Sequence, residues 1–160
     1  MAWTESRVFR EWIRGPMMQA SGTGYTGLDS DVIRVALFNN TVSPDADAAV
    51  SATGYNTGTW TTAREASGGA NWPAGGRPLA SKTVTVPGAG TVMFDAADLA
   101  AAGTVTLTDA YGCLVYDDTV TGGTVADQGV AFLYFGGAQS VVSGNFTVVW
   151  SDNGLIRFSA

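Results

Sequence analysis

The stretch "YGCLVYDDT", Tyr111 to Thr119, gathers residue types that do chemistry: the chain's one cysteine, two tyrosines and the adjacent carboxylates Asp117 and Asp118. A cysteine nucleophile needs a neighbouring base or a helix N-terminus to hold it as the thiolate. The chain has no histidine, which removes the Ser-His-Asp triad, the His-activated cysteine and most zinc sites together. Cys113 lies between Gly112 and Leu114 in a strand-like run, and reads as a buried structural thiol. Asp117 and Asp118 have the composition of half a glycosidase pair or a cation site. Adjacent residues on a strand point to opposite faces, however, so the two carboxylates do not converge on one substrate atom. They lead straight into "TVTGG", and an aspartate at a strand end commonly starts a turn. Both faces of the run, Tyr111, Cys113 and Val115 on one and Gly112, Leu114 and Tyr116 on the other, suit a covered strand.

The other constellations are weaker. Asp29 and Asp31, and Asp45 and Asp47, alternate like the acids of a calcium loop. Neither stretch has the glycine at the sixth position or the glutamate at the twelfth of an EF-hand. A surface Ca²⁺ site stays open as an alternative, but no metal or cofactor is assigned. The glycine pairs at 68–69, 75–76, 122–123 and 136–137 lack the strand–loop–helix context of a nucleotide-binding loop. Among the five tryptophans, Trp150 shares a strand face with Phe146 and Val148 and reads as core. Trp60 and Trp72 flank a glycine-rich segment and read as exposed or interface rings, suited to stacking on a sugar or on another protein. No catalytic residue is assigned, and the chain is not read as an enzyme.

The elements around these residues read mostly as strands. "DVIRVALF" (Asp31 to Phe38) is dense in β-branched residues and runs into the turn "SPD". Residues 45–76 form a polar, glycine-rich surface excursion with anchoring rings at Tyr55, Trp60 and Trp72. "KTVTV" alternates strictly, "PGAG" turns the chain, and "TVMFD" continues it. "DAADLAAAG" suits either one or two helical turns or an Ala-rich loop. "VAFLYFGG" is apolar on both faces and so belongs in the centre of a sheet. "NFTVVW", "SDNG" and "LIRFSA" have the pattern of a hairpin. Short strands at regular spacing, with glycine turns, predict an all-β fold: an antiparallel β-sandwich or barrel-like body over 28–160.

The segment 1–27 reads as an arm with its connector. "TESRVFREWIR" has the pattern of a short amphipathic helix, with Thr4 as N-cap, Glu5 at the positive end and Gly15-Pro16 as the stop. Val8, Phe9, Trp12 and Ile13 make an apolar stripe, and Arg7, Arg10 and Arg14 gather on another side. An isolated helix this short is marginal in water, so it must pack on its own domain or dock on a neighbour.

Composition bounds the partners. The chain has 160 residues, 46% hydrophobic and 14% charged, enough for one domain with its own core. One cysteine forms no internal disulfide, no apolar run approaches the roughly 18 residues of a bilayer span, and the N-terminus lacks a signal-peptide pattern. Synthesis and folding in a cytoplasm are expected. The net charge of −6 divides into +1 over residues 1–20 (three Arg, two Glu) and −7 over the rest (five basic, twelve acidic). An acidic body repels a phosphate backbone, so neither nucleic acid nor membrane is expected as a partner.

Several long blocks carry a resemblance: "VALFNNTVSPD", "WPAGGRPLASKTVTV", "GTVMFDAAD", "YGCLVYDD", "VADQGVAFLYFGG" and "FTVVWSDNGLIRF". The chain resembles, over most of residues 30–158, a family of small virion proteins of tailed bacteriophages of actinobacteria. That resemblance implies a non-enzymatic capsid decoration (head auxiliary) protein on the virion surface, with the major capsid protein lattice as partner and self-association as a trimer or other symmetric oligomer. A tail or tail-fibre component, touching a host glycan through Trp60 or Trp72, is the alternative, and a small hydrolase or lectin the weakest. Trp3, Arg7, Phe9, Arg10, Trp12, Arg14, Trp60 and Trp72 are the interface types expected to make the contact. Removing residues 2–16 is expected to release the protein from the shell and leave the β body folded.

Overall fold

A computed structural model describes residues 3–9, 12 and 27–159. Ten strands form over these residues: β1 (Arg7–Val8), β2 (Ile33–Phe38), β3 (Arg77–Pro78), β4 (Thr83–Gly88), β5 (Thr91–Asp95), β6 (Leu99–Ala100), β7 (Val105–Asp117), β8 (Gln128–Gly144), β9 (Thr147–Val148) and β10 (Ile156–Ser159). They make three sheets with the orders β1-β8-β7-β2-β3, β10-β5-β4 and β6-β9. Every ladder is antiparallel. The fold is therefore all-β, as composition and strand spacing predict.

The frame is the β7–β8 hairpin, with Asp117 opposite Gln128 near its loop and Val105 opposite Gly144 at its open end. β7 alternates over its first half and is buried on both faces from Gly112 to Asp117, where β2 and β8 also pair with both its edges. β8, the "VAFLYFGG" strand, is central as expected, between β1 and β7. The 45–76 excursion has three single 3-10 turns, at Val50–Ala52, Thr62–Arg64 and Gly69–Asn71. Trp60 and Trp72 are both buried and pin it to the body.

Three expectations are overturned. The helix expected over 4–14 does not cover Trp3 to Phe9, which holds the short strand β1; Trp12 is helical, and residues 10, 11, 13 and 14 lie outside the described residues. Arg7 pairs with Phe132 and Val8 with Ala131, and the Phe9 amide donates to the Val130 carbonyl at 3.1 Å. The open edge of β8 offers this short segment a ladder and a burial site together, which outweigh a marginal local helix. The described part of the arm thus pairs with β8 and gives Trp3, Phe9 and Trp12 to the core.

The "NFTVVW"/"LIRFSA" pair is not a hairpin. Gly154, at φ +74°, does form a turn with its amide on the Ser151 carbonyl at 2.7 Å. The two runs then join different sheets, β9 with β6 and β10 with β5. Trp150 tethers the crossing, its amide on Asp98 Oδ1 at 2.9 Å and its indole on the Ala97 carbonyl at 3.0 Å. The same pairing settles "DAADLAAAG", where Leu99–Ala100 is a strand rather than a helical turn.

Candidate functional site

The "YGCLVYDDT" stretch is the hub of a polar cluster where β7 leaves the sheet. Tyr116 lies flat against Tyr55, ring centroids 5.1 Å apart and planes 11° from parallel. The Tyr116 hydroxyl donates to the Gly75 carbonyl at 2.7 Å, and the Tyr55 hydroxyl to Glu65 Oε2 at 2.8 Å. Glu65 Oε1 accepts the Gly75 amide at 2.8 Å. Arg34, on β2, donates to the carbonyls of Gly75 and Gly76 at 3.2 and 3.0 Å and lies 3.7 Å from Asp118. The Gly75-Gly76 turn is thus held by a phenol, a carboxylate and a guanidinium. Gly76 has φ +67°, and a Cβ there would fall 1.8 Å from the Val35 carbonyl oxygen, so no side chain fits.

The two aspartates diverge as strand geometry requires. Asp117 is buried; its Oδ1 accepts the Thr119 amide at 2.9 Å, and its carboxyl meets Asp31. Burial, with Asp31 adding to it, pushes the Asp117 carboxyl up to about 7 against the pull of the Thr119 amide. Asp118 turns instead toward Arg34 and Asp127, and burial with the Asp118 charge raises Asp127 as well. Burial raises Glu65, while Tyr55 and the Gly75 and Gly76 amides oppose it. Cys113 is wholly buried, and burial pushes its thiol up to about 12, which leaves no thiolate at neutral pH. These bonds anchor loops to strands, and none aims a reactive group at an open cavity.

The paired acids elsewhere also close turns. Asp45 Oδ1 accepts the Asp47 amide at 2.8 Å, and Asp31 Oδ2 the Gly27 amide at 3.2 Å. Among the described residues no group of three His, Cys, Asp or Glu side chains is placed to hold a metal ion. Among them, too, no helix is long and apolar enough to cross a membrane.

The sequence's interface candidates are placed differently from expectation. Trp3, Phe9, Trp12, Trp60 and Trp72 are all buried. Trp60 sits in an aromatic cluster, its ring centroid 5.2 Å from Phe38, 5.8 Å from Trp3, 6.0 Å from Phe132 and 6.1 Å from Phe9. Trp72 packs edge-on against Phe146 at 5.5 Å. Glycine in the neighbouring chain marks a pocket for a ring, not an exposed ring: a Cβ on Gly112 would lie 2.7 Å from the Trp3 ring. Deleting residues 2–16 would therefore remove three core aromatics and an edge strand, and is expected to destabilise the body rather than leave it folded. Arg7 is exposed and paired with Glu5 at 2.7 Å. Arg10 and Arg14 lie outside the described residues.

Sequence reasoning missed the surface that is apolar. Val84, Val86, Val92, Val142, Val149 and Phe158 are exposed. The alternation of "KTVTV" signalled the strand, but alternation alone does not say which face is covered. Comparison with protein families, with curated proteins and with solved structures finds no match.

Proposed function

We propose that this chain is a non-enzymatic structural protein of a bacteriophage virion, a capsid decoration protein that binds the outer face of the head and stabilises the shell. The reading rests on the sequence resemblance, whose blocks fall on strands of the fold. "VALFNNTVSPD" holds the second half of β2, "WPAGGRPLASKTVTV" β3 and most of β4, and "GTVMFDAAD" β5. "YGCLVYDD" ends β7, "VADQGVAFLYFGG" opens β8, and "FTVVWSDNGLIRF" spans β9 and most of β10. The resemblance thus follows the scaffold through the chain rather than one local motif. The cluster of Tyr55, Glu65, Arg34, Tyr116 and Gly75 supports a non-catalytic role, since its bonds are spent on holding the turn.

The partner in this reading is the major capsid protein lattice, and the exposed Arg7, with Arg10 and Arg14, supplies the basic contact against it. The test is abundance and location on purified particles. The chain is expected on tailless heads in a number that follows the shell lattice, and its absence from heads with retention on tails would assign it to the tail. Changing Arg7, Arg10 and Arg14 together to Glu is expected to lower occupancy of the head. The glycan-binding alternative through Trp60 or Trp72 loses its platform, because both rings are core.

A further inference from the structure

Strand β4 is exposed along all 6 of its residues and forms the outer strand of the β10-β5-β4 sheet. Its inner edge pairs with β5, Thr83 opposite Asp95, Val84 opposite Phe94 and Thr85 opposite Met93. Among the described residues no strand pairs with its outer edge. Directly opposed residues share a sheet face, so Val84 shares one with Phe94 and, across β5, with Ile156; Val92 and Phe158 are opposed on that face too. Phe94 and Ile156 are buried, while Val84 is 47%, Val92 44% and Phe158 44% exposed. The apolar face begins in the core and runs out into solvent.

We propose that the outer edge of β4 pairs antiparallel with β4 of a second copy of this chain, about a two-fold axis at Thr85. Two observations favour a second copy as the occupant. The run Val84-Thr85-Val86 is self-complementary: an axis at Thr85 sets Thr85 opposite Thr85 and Val84 opposite Val86, valine on valine. Charge favours it as well, because residues 83–93 carry no charged side chain in a chain of net charge −6. Two acidic bodies meet there at their neutral stretch. The area sets the strength. Pro87, which has no amide hydrogen, and the irregularity between Thr85 and Gly88 stop the ladder after a few pairs. So short a ladder with its flanking valines falls below the roughly 800 Å² per partner of a standard interface. The dimer is therefore weak and forms as concentration rises. This inference stands on the edge strand alone and does not rest on the proposed role.

The test is sedimentation velocity of the full chain over a concentration series, with variants on the exposed strand. The wild type is expected to shift from monomer to dimer as concentration rises. Val84→Lys should weaken self-association at least about tenfold, by setting a lysine against Val86 of the other copy. Val86→Glu alone should do the same, and mixing the two variants should restore dimer by setting Lys against Glu. Thr85→Cys should give a covalent dimer under mild oxidation, whereas the wild type, its one thiol buried, should not. A chain that stays monomeric at every concentration overturns the proposal, as does a dimer indifferent to Val84→Lys or a mixture that fails to associate. Monomeric protein whose retention on particles is lost with Val84→Lys overturns it too, and assigns the edge to the shell.

Discussion

Two regions of this molecule use apolar side chains in opposite ways. Around Trp60, rings that flank β1 close on rings from β2, β8 and the 45–76 excursion, and Trp3, Phe9, Phe38, Trp60 and Phe132 are all buried. In the β10-β5-β4 sheet the apolar face is covered only where Phe94 and Ile156 meet the body, and β4 is open on both faces. The first region joins distant parts of the chain, so its aromatics hold the fold. The second contributes little to the fold and presents a neutral strand edge. Ring size and sequence position do not distinguish the two regions; access to a partner strand within the chain does.

The comparison breaks most visibly at Trp60. Trp60→Ala should cost about 3–5 kcal/mol, read as a lowered denaturation midpoint, because four rings lose a common neighbour. A loss below about 1 kcal/mol, the scale of an ordinary substitution, would mean that the excursion is not pinned by this ring. Gly112→Ala comes next. The added methyl would lie 2.4 Å from the Leu133 carbonyl oxygen and 2.7 Å from the Trp3 ring. A cost of about 2–3 kcal/mol is expected, with faster proteolysis near the N-terminus as Trp3 is expelled.

The polar end of β7 gives a smaller, pH-dependent effect. Asp117 titrates near 7 in the folded chain and near 4 when unfolded, so the native state binds the extra proton between those values. Its contribution is fully present below about pH 4 and is lost as pH rises through 7. Asp117→Asn should flatten that slope in thermal melts across pH 5 to 8; an unchanged slope would place the titration elsewhere. Smallest is Val84→Lys, expected to change monomer stability by no more than about 0.5 kcal/mol, because Val84 is exposed. A larger destabilisation would mean that β4 is held by contacts within the chain, and the contrast between the two regions would fail.

What the sequence made legible follows from how local each feature is. The β7 strand, its buried thiol and its divergent aspartates follow from period-two alternation and the lack of histidine, and they hold in the fold. The hydrophobic run of β8 marked it as central. The N-terminal strand was hidden, since the helical pattern of residues 4–14 is local and the open edge of β8 is more than a hundred residues away. The terminal hairpin was hidden for the same reason: "SDNG" does turn the chain, yet each flanking run pairs with a strand upstream. Trp60 and Trp72 were misread because glycine-rich surroundings resemble exposed loops, while the rings they pack on, Phe38 and Phe132 for Trp60 and Phe146 for Trp72, lie elsewhere in the chain. The polar hub at Gly75 joins Glu65, Arg34 and Tyr116 from three parts of the chain, and no spacing rule links them.

The proposed role on the head is tested most directly by imaging tailless heads from phage with and without this gene product. The account predicts added density on the outer face of the shell, repeated with the lattice and lost when the protein is missing. Shells identical in both preparations, with the difference confined to the tail, would contradict it.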